Sequence, residues 1–416
     1  MFRGTLISQV SYQIVGKIII SGLGFIVTAL LARHLGVEDF GTFNFLLTIA
    51  YFAYLFADYG LQTLLIRDIA AHTKIHDDVA QFLSVRVILA GIVSLGLLGM
   101  TWFLPYSIDA KLSLVIIGIG QAVFLLMGVF WAILQGKVAF GRLVIVQVFM
   151  SIVQAILMIS GVIVGASLVY FAFAHTLVVI SGCVLSWLYV KGLIQGPVRM
   201  KLQLATVKNV LTRGFPFAIG LLVSVAYLKI DTLILAYFFD PQTHSDVGFY
   251  SLAYRPFEVV TVFGGYVSQT LYPLFVPLIS SRKIIREFWA YLGYSLILAA
   301  GAGIFLFFGA PFIVSVLGGH EYASSVLPLK ILAAAAAITI LSGYFVAIAL
   351  AGGKEKQLMY YGAIALAANV LLNLIWVPTG SYIATSWTTV VTQSIILLGN
   401  AYAAWHVIRA TMSTKI

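Results

Sequence analysis

The sequence has 416 residues, of which 62% are hydrophobic and only 9% are charged, and its mean hydropathy is +1.06. Soluble globular domains carry about 25% charged residues, so this composition excludes a soluble protein and indicates a polytopic membrane protein. The net charge of +10 indicates membrane topology and contact with anionic lipid headgroups. It does not indicate nucleic-acid binding, because no basic patch interleaved with aromatic residues accompanies it.

Apolar runs that could cross a bilayer recur along the whole chain. A membrane-spanning helix needs about 20 predominantly apolar residues. In chain order the twelve runs cover 7–31, 41–65, 83–104, 112–134, 144–164, 168–190, 215–239, 247–278, 288–317, 326–350, 359–377 and 382–408. The sequence therefore predicts an all-α polytopic membrane protein with about twelve transmembrane helices.

Arginine and lysine residues indicate on which side of the membrane each connection lies. They concentrate at the two termini and in the even-numbered connections, and Arg86, near the start of the third run, is counted with them. The odd-numbered connections contain only Arg33 and Lys111. The positive-inside rule therefore predicts that both termini are cytoplasmic.

The chain looks duplicated. "DFGTFNF" at 39–45 and "DVGFYSL" at 246–252 each place an aspartate, a glycine and aromatic residues at the start of a long run. Internal repeats are typical of transporters, whose substrate path lies between the repeats. We predict an N-terminal six-helix lobe at 1–190, a cytoplasmic linker at 191–214 and a C-terminal six-helix lobe at 215–416, around a central polar cavity.

Polar side chains recur at helical spacing inside several runs. A polar stripe that faced lipid would leave its hydrogen-bonding groups unsatisfied, so we expect these residues to line the cavity. The candidates for lining the cavity and contacting a polar substrate are Gln9, Gln13, Lys17, Gln147, Tyr227, Lys229, Arg255, Asn369 and Asn373.

Carboxylates inside the runs are candidates for coupling to a cation. They are Asp231, Asp58 and Glu258. Lys229 and Asp231 stand about 200° apart around a helix, so we place Asp231 in the cavity and direct Lys229 toward a neighbouring helix or the other wall. Two structural alternatives stay open. Arg255 and Glu258 could form an ion pair at i,i+3, and Asp58 could serve local backbone geometry or pair with Arg67.

Motifs for covalent chemistry are not found in the sequence. "AGGKEK" at 351–356 lacks the first glycine and the Ser/Thr of a phosphate-binding loop. The histidines form no HExxH or Cys/His cluster, and the single cysteine, Cys183, cannot form an internal disulfide. We therefore predict a protein that is not an enzyme, with no catalytic residues, no metal and no cofactor.

The segment "LLARHLGVEDFGTFNFLLTIAYFAYLFADYGLQTLLIRDIA" at 30–70 resembles the opening of Wzx-type O-antigen or repeat-unit flippases, polysaccharide biosynthesis proteins of the multidrug/oligosaccharidyl-lipid/polysaccharide exporter superfamily. In the second half, "GFPFAIGLLVSVAYLKIDTLILAYFF", "VGFYSLAYRPFE" and "LYPLF" are similar to the same family. The residues that carry the first match are Arg33, Leu35, Gly36, Phe40, Gly41, Asp58, Gly60, Leu61, Arg67 and Asp68. The resemblance covers essentially the whole chain.

The resemblance implies a flippase that moves an undecaprenyl-diphosphate-linked oligosaccharide from the cytoplasmic to the periplasmic leaflet of the bacterial inner membrane. It also implies alternating access, a proton or sodium gradient, and a role in lipopolysaccharide synthesis beside a polysaccharide polymerase and a chain-length regulator. Elementary electrostatics agrees, because a diphosphate in a low dielectric needs cations along its path, and Lys17, Lys229 and Arg255 are candidates. The alternatives are a drug or metabolite:cation antiporter of the same superfamily and a membrane polysaccharide polymerase.

Overall fold

The computed structural model of the chain describes residues 2–71, 76–194, 204–239, 245–280 and 284–413. Within these ranges it leaves out the side chains of residues 2–14, 77, 204–205, 219–220, 222–228, 280, 284–286 and 412–413. The regular elements in the described ranges are α-helices and one 3₁₀-helix, with no β-strand among them.

The helices follow one another with short connections. Their bounds are α1 Phe2–Asp58, α2 Leu61–Ala71, α3 His76–Phe103, α4 Ile108–Gly136, α5 Phe140–Ile163, α6 Leu168–Val190, α7 Leu204–Phe238, α8 Ser245–Ser280, α9 Ile284–Gly318, α10 Val326–Ala351 and α11 Glu355–Ser413. The 3₁₀-helix, His320–Ser325, lies directly before α10.

Two of the helices are much too long for one membrane crossing, and each contains a break. The backbone leaves helical geometry in α1 at Gly36, where φ is 73°, and in α11 at Ser381, where φ is 50°. Among the described residues, nine helices are long and apolar enough to cross a membrane. The breaks at Gly36 and Ser381 divide α1 and α11 into two crossings each, which raises the number from nine to eleven. The 35-residue helix α7, several of whose side chains are not described, brings it to twelve. The prediction of about twelve transmembrane helices is confirmed.

The second crossing ends earlier than the sequence predicts. The apolar run continues to residue 65, but α1 ends at Asp58 because Tyr59 and Gly60 both adopt left-handed φ angles, of 51° and 69°. The backbone N–H groups of Gly60 and Gln62 donate to the Asp58 carboxylate. This carboxylate therefore caps the following helix α2 and satisfies donors that would otherwise lack partners.

The described residues up to Val225 form one compact unit, and those from Ala226 onward form another. In the first unit, α4 packs against α6 and α3, and α1 packs against α5. Its core contains Leu61, Leu64 and Leu65 of α2, all fully buried. Residues 204–214 form the first turns of α7, and the predicted bounds of the lobes and of the linker stay a prediction.

In the second unit, α8 and α11 both pack against α10, and α9 packs against α10 and α8. The contact between α8 and α10 brings two backbones together. A Cβ atom on Gly264 would lie 2.7 Å from the carbonyl oxygen of Thr339, and a Cβ atom on Gly343 would overlap the carbonyl oxygen of Gly264. This close packing fixes the position of α8, which carries several of the candidate site residues.

Candidate functional site

Asp231 lies at the centre of a buried polar cluster in the second unit. Its side chain belongs to α7, and the residue is only 3% exposed. The Tyr250 hydroxyl on α8 donates to Asp231 Oδ2 at 3.0 Å, Asn373 Nδ2 donates to Asp231 Oδ1 at 3.0 Å, and Thr389 Oγ1 donates to Oδ2 at 3.3 Å. The carboxylate thus accepts hydrogen bonds from α8 and from both segments of α11. Such partners are what a buried carboxylate requires.

Asn369 completes this cluster, which we call the Asp231 cluster. The Asn369 side chain is hydrogen-bonded to Asp231, and its Oδ1 accepts a hydrogen bond from Asn373 Nδ2 at 3.1 Å. The Oδ1 atom of Asn373 is buried and has no hydrogen-bond partner. The cluster therefore combines one carboxylate with amide and hydroxyl oxygens, one of which keeps its acceptor capacity unused.

A second group of charged residues in the same unit joins Lys229, Arg255 and Glu258. Lys229 Nζ lies 3.1 Å from Glu258 Oε1, and Arg255 Nη1 lies 3.1 Å from Glu258 Oε2. The three side chains keep exposed fractions of 31%, 44% and 37%, respectively. We call this group the charged triad. It carries one net positive charge within helices that cross the membrane.

Two tyrosine rings connect the Asp231 cluster to the charged triad. The Tyr250 ring, whose hydroxyl binds Asp231, lies 5.4 Å from the Tyr254 ring between centroids. Lys229 Nζ lies 5.5 Å from the centroid of Tyr254. On α8, Tyr250, Tyr254 and Glu258 follow one another at intervals of four residues, so they share one face of that helix.

The structure separates Lys229 from Asp231, as the sequence predicts from their spacing. Lys229 contacts Glu258 on the neighbouring helix α8, whereas Asp231 points into its cluster. The i,i+3 ion pair between Arg255 and Glu258 is also confirmed. Glu258 is thus held by two cations, which favours an ion-pairing role over the predicted role in cation coupling.

Asp58 belongs to a different arrangement in the first unit. The sequence offers Arg67 as its partner, and this pairing is wrong. Asp58 instead pairs with Arg86 of α3, which also donates to the carbonyl oxygen of Leu125. Arg86 is fully buried and Asp58 is 3% exposed. Arg86, which the sequence analysis counts with the cytoplasmic connections, therefore lies inside the helical core, and the side of the membrane stays a prediction.

Asp68 of α2, in the first unit, lies between two arginines. It pairs with Arg67 at 3.2 Å and with Arg213 of α7. The sequence highlights Asp68 only through the family resemblance and gives no signal for its contact with α7, because the two residues are 145 positions apart.

The remaining predicted cavity residues do not join either group. Lys17 is exposed and Gln147 is half-buried, both in the first unit. Gln9, Gln13 and Tyr227 lie outside the residues whose side chains are described. Asn369 and Asn373, predicted to contact the substrate, are 1% and 0% exposed and are hydrogen-bonded to Asp231; their contact with a substrate stays a prediction.

Comparison with known protein families assigns the chain to one of them. The family described as "Polysaccharide biosynthesis protein" matches residues 6–278. The chain belongs to this family. A comparison of the sequence with curated proteins finds no significant match.

The solved structures that match the chain include a flippase and multidrug transporters. The chain is similar to the lipid II flippase MurJ in an inward closed conformation, with a TM-score of 0.75, 14% identity, and coverage of 98% of this chain and 91% of MurJ. It is similar to an inward-facing multidrug resistance MATE family transporter of the MOP superfamily, with a TM-score of 0.71, 15% identity and coverage of 95% and 96%. It is also similar to a mutant of the Vibrio cholerae MATE transporter VcmN, with a TM-score of 0.62, 14% identity, and coverage of 99% of this chain and 96% of VcmN. This member of the polysaccharide biosynthesis family is thus a multi-pass membrane protein that shares its fold with MurJ and the MATE transporters.

Proposed function

We propose that the protein is a Wzx-type flippase that moves an undecaprenyl-diphosphate-linked oligosaccharide from the cytoplasmic to the periplasmic leaflet of a bacterial inner membrane. Movement follows alternating access through a polar cavity, and both termini are cytoplasmic. The lipid-linked glycan is the substrate, an O-antigen repeat unit is its expected class, and a polysaccharide polymerase and a chain-length regulator are the expected partners.

The observation that carries the proposal is the charged triad, in a chain of the polysaccharide biosynthesis family. An anionic diphosphate inside a membrane needs cations with accessible donors. Lys229 and Arg255 provide them, since both side chains are partly exposed and lie within 3.1 Å of the same carboxylate. A fork-shaped guanidinium also suits the oxygens of a phosphoryl group.

We further propose that the Asp231 cluster couples transport to a monovalent cation. Oxygen donors from a carboxylate, amides and hydroxyls suit hard cations, and the unpartnered Oδ1 of Asn373 leaves acceptor capacity within this set. In the described part of the chain, no three or more His, Cys, Asp or Glu side chains lie together in an arrangement that could hold a metal ion. A single buried carboxylate matches one charge, whether a proton or a sodium ion neutralises it.

The test is a reconstitution. The purified protein is placed in liposomes, and transbilayer movement of an undecaprenyl-diphosphate oligosaccharide is followed with an imposed proton gradient, a sodium gradient or neither. The wild type should move the lipid, and Lys229→Met and Arg255→Met should each slow it at least tenfold. Lys17→Ala tests the predicted contribution of the exposed lysine.

Asp231→Asn should abolish the response to the gradient while the protein remains folded. Asp246→Asn is the matched control, because Asp246 lies on α8 of the same unit but binds Ser381, at 2.6 Å, and is not part of the Asp231 cluster. An unchanged gradient response in Asp231→Asn would remove the coupling role. A wild type that moves no lipid-linked glycan would remove the flippase function.

The buried Asp231 carboxylate also favours a second candidate, a drug or metabolite:cation antiporter. The fold matches MATE transporters nearly as well as it matches MurJ, and a carboxylate could bind a cationic substrate. The positive charge of the triad argues for an anionic substrate instead. Extrusion of organic cations from the same liposomes, without movement of the lipid, would establish the antiporter.

A further inference from the structure

The Glu258 carboxylate lies between two cationic side chains, those of Lys229 and Arg255. Its two carboxylate oxygens are used separately, because Oε1 accepts from Lys229 and Oε2 accepts from Arg255, each at 3.1 Å. While both oxygens are engaged, neither cation is fully available to another anion. A substrate phosphoryl group that binds Lys229 and Arg255 must therefore compete with Glu258.

The exposure of the triad permits this exchange. All three side chains are between 31% and 44% exposed, and in the polar cavity of the proposed function water reaches each partner when a pair opens. Exposed ion pairs contribute little to stability, which distinguishes the triad from the fully buried pair of Asp58 and Arg86 in the first unit. The triad can break and reform at a cost that a multiply charged ligand can offset.

The chemistry of the two anions is similar where they meet the cations. A carboxylate and a phosphoryl group each present at least two oxygens to neighbouring donors, and both accept charge-assisted hydrogen bonds from arginine and lysine. The tyrosine ring of Tyr254, 5.5 Å from Lys229 Nζ, favours the position of the lysine in either state.

We propose that Glu258 is a built-in competitor of the substrate diphosphate. Between transport cycles its carboxylate holds Lys229 and Arg255 in the arrangement that binds an anion. A phosphoryl group of the lipid-linked substrate then displaces it, and its return promotes release. This inference rests on the proposed function, and it assigns Glu258 to substrate release instead of cation coupling.

The proposal predicts the opposite of what loss of an ordinary structural contact would produce. Glu258→Gln removes the competing charge and keeps the shape, so the substrate should bind more tightly. An exposed ion pair contributes up to about fivefold to an equilibrium constant, and two pairs are broken, so the expected tightening is up to about 25-fold. At saturating substrate, translocation should slow, because release no longer benefits from the competitor.

The experiment measures binding of undecaprenyl diphosphate without sugar to the purified protein in nanodiscs, with inorganic pyrophosphate as a soluble second probe. Glu321→Gln is the matched control, because Glu321 is an exposed glutamate of the same unit in the 3₁₀-helix and its loss changes the net charge equally. Combining Glu258→Gln with Lys229→Met should cancel most of the gain, since the gain acts through the cations.

The outcomes are distinguishable. Unchanged or weaker binding in a folded Glu258→Gln protein overturns the competitor while leaving the flippase function in place. Failure of the wild type to bind either diphosphate probe overturns both. Should Glu258→Gln not fold, Glu258→Asp takes its place, because a shorter carboxylate reaches the two cations less well and should also tighten binding.

Discussion

The pair of Asp58 and Arg86 gives the sharpest prediction about stability. Arg86 is fully buried and donates to both Asp58 and the carbonyl oxygen of Leu125. Arg86→Met fills a similar volume but leaves the Asp58 carboxylate buried without its countercharge. Removing one partner of a buried pair costs about 3–5 kcal/mol, a large share of the stability of one unit.

The double variant separates charge from packing. With Asp58→Asn added, no uncompensated charge remains, and the amide oxygen can still accept from the N–H groups that cap α2. We expect it to recover about 2–3 kcal/mol of the loss, the remainder reflecting the lost bond to Leu125 and imperfect packing. The interaction energy from the complete cycle is then specific to the ion pair.

Unfolding by SDS in mixed micelles, followed by far-UV circular dichroism, measures these differences. Arg67→Met is the control, because Arg67 also pairs with an aspartate but is 56% exposed, and its loss should cost at most about 1 kcal/mol. The reasoning is refuted if Arg86→Met costs no more than Arg67→Met, or if the double variant is as unstable as the single one. The double variant should keep its response to an ion gradient, since Asp58 is here a structural residue.

Two further predictions concern the second unit. Gly264→Ala should destabilise it by about 1–3 kcal/mol, because the added Cβ would lie 2.7 Å from the Thr339 carbonyl oxygen, whereas Gly265→Ala, whose Cβ would meet nothing within 4 Å, should be neutral or slightly stabilising in the same SDS titration. Tyr254→Leu should leave the protein folded but reduce the stimulation of lipid movement by an ion gradient, because it removes the ring between Tyr250 and Lys229. Tyr254→Phe keeps that ring and should behave as the wild type; equal stimulation in the leucine variant would exclude a coupling role for the ring.

The membrane-spanning helices could be predicted well because bilayer thickness imposes a length and a polarity on each of them. Local breaks were harder to predict. The sequence predicts one continuous membrane crossing at 41–65, yet the chain turns at Tyr59 and Gly60. The signal for that turn is the short string "ADYG", in which an aspartate caps the next helix, and hydropathy does not register it.

The candidate site was predictable as a set of residue types but not as a set of contacts. The spacing of Asn369 and Asn373 identifies one polar helix face, and it cannot tell whether that face meets a sugar or a carboxylate of the same protein. Arg86 shows the same limit. Near the start of an apolar run, a cation is counted as a topology signal, and only the pairing of Arg86 with Asp58, 28 residues earlier, shows that it is buried.

The arrangement along α8 suggests why one helix carries both candidate sites. Tyr250 binds the carboxylate that would be neutralised by a cation, and Glu258, two turns further along, holds the cations that would meet an anion. Neutralising Asp231 weakens its hold on the Tyr250 hydroxyl, because a charged acceptor binds a donor about twice as strongly as a neutral one. Any shift of Tyr250 reaches Tyr254 and then Lys229 through ring contacts of about 5 Å. The two ions could therefore influence each other through side chains of a single helix face, and the Tyr254 variants test whether that contact transmits free energy or is only close in space.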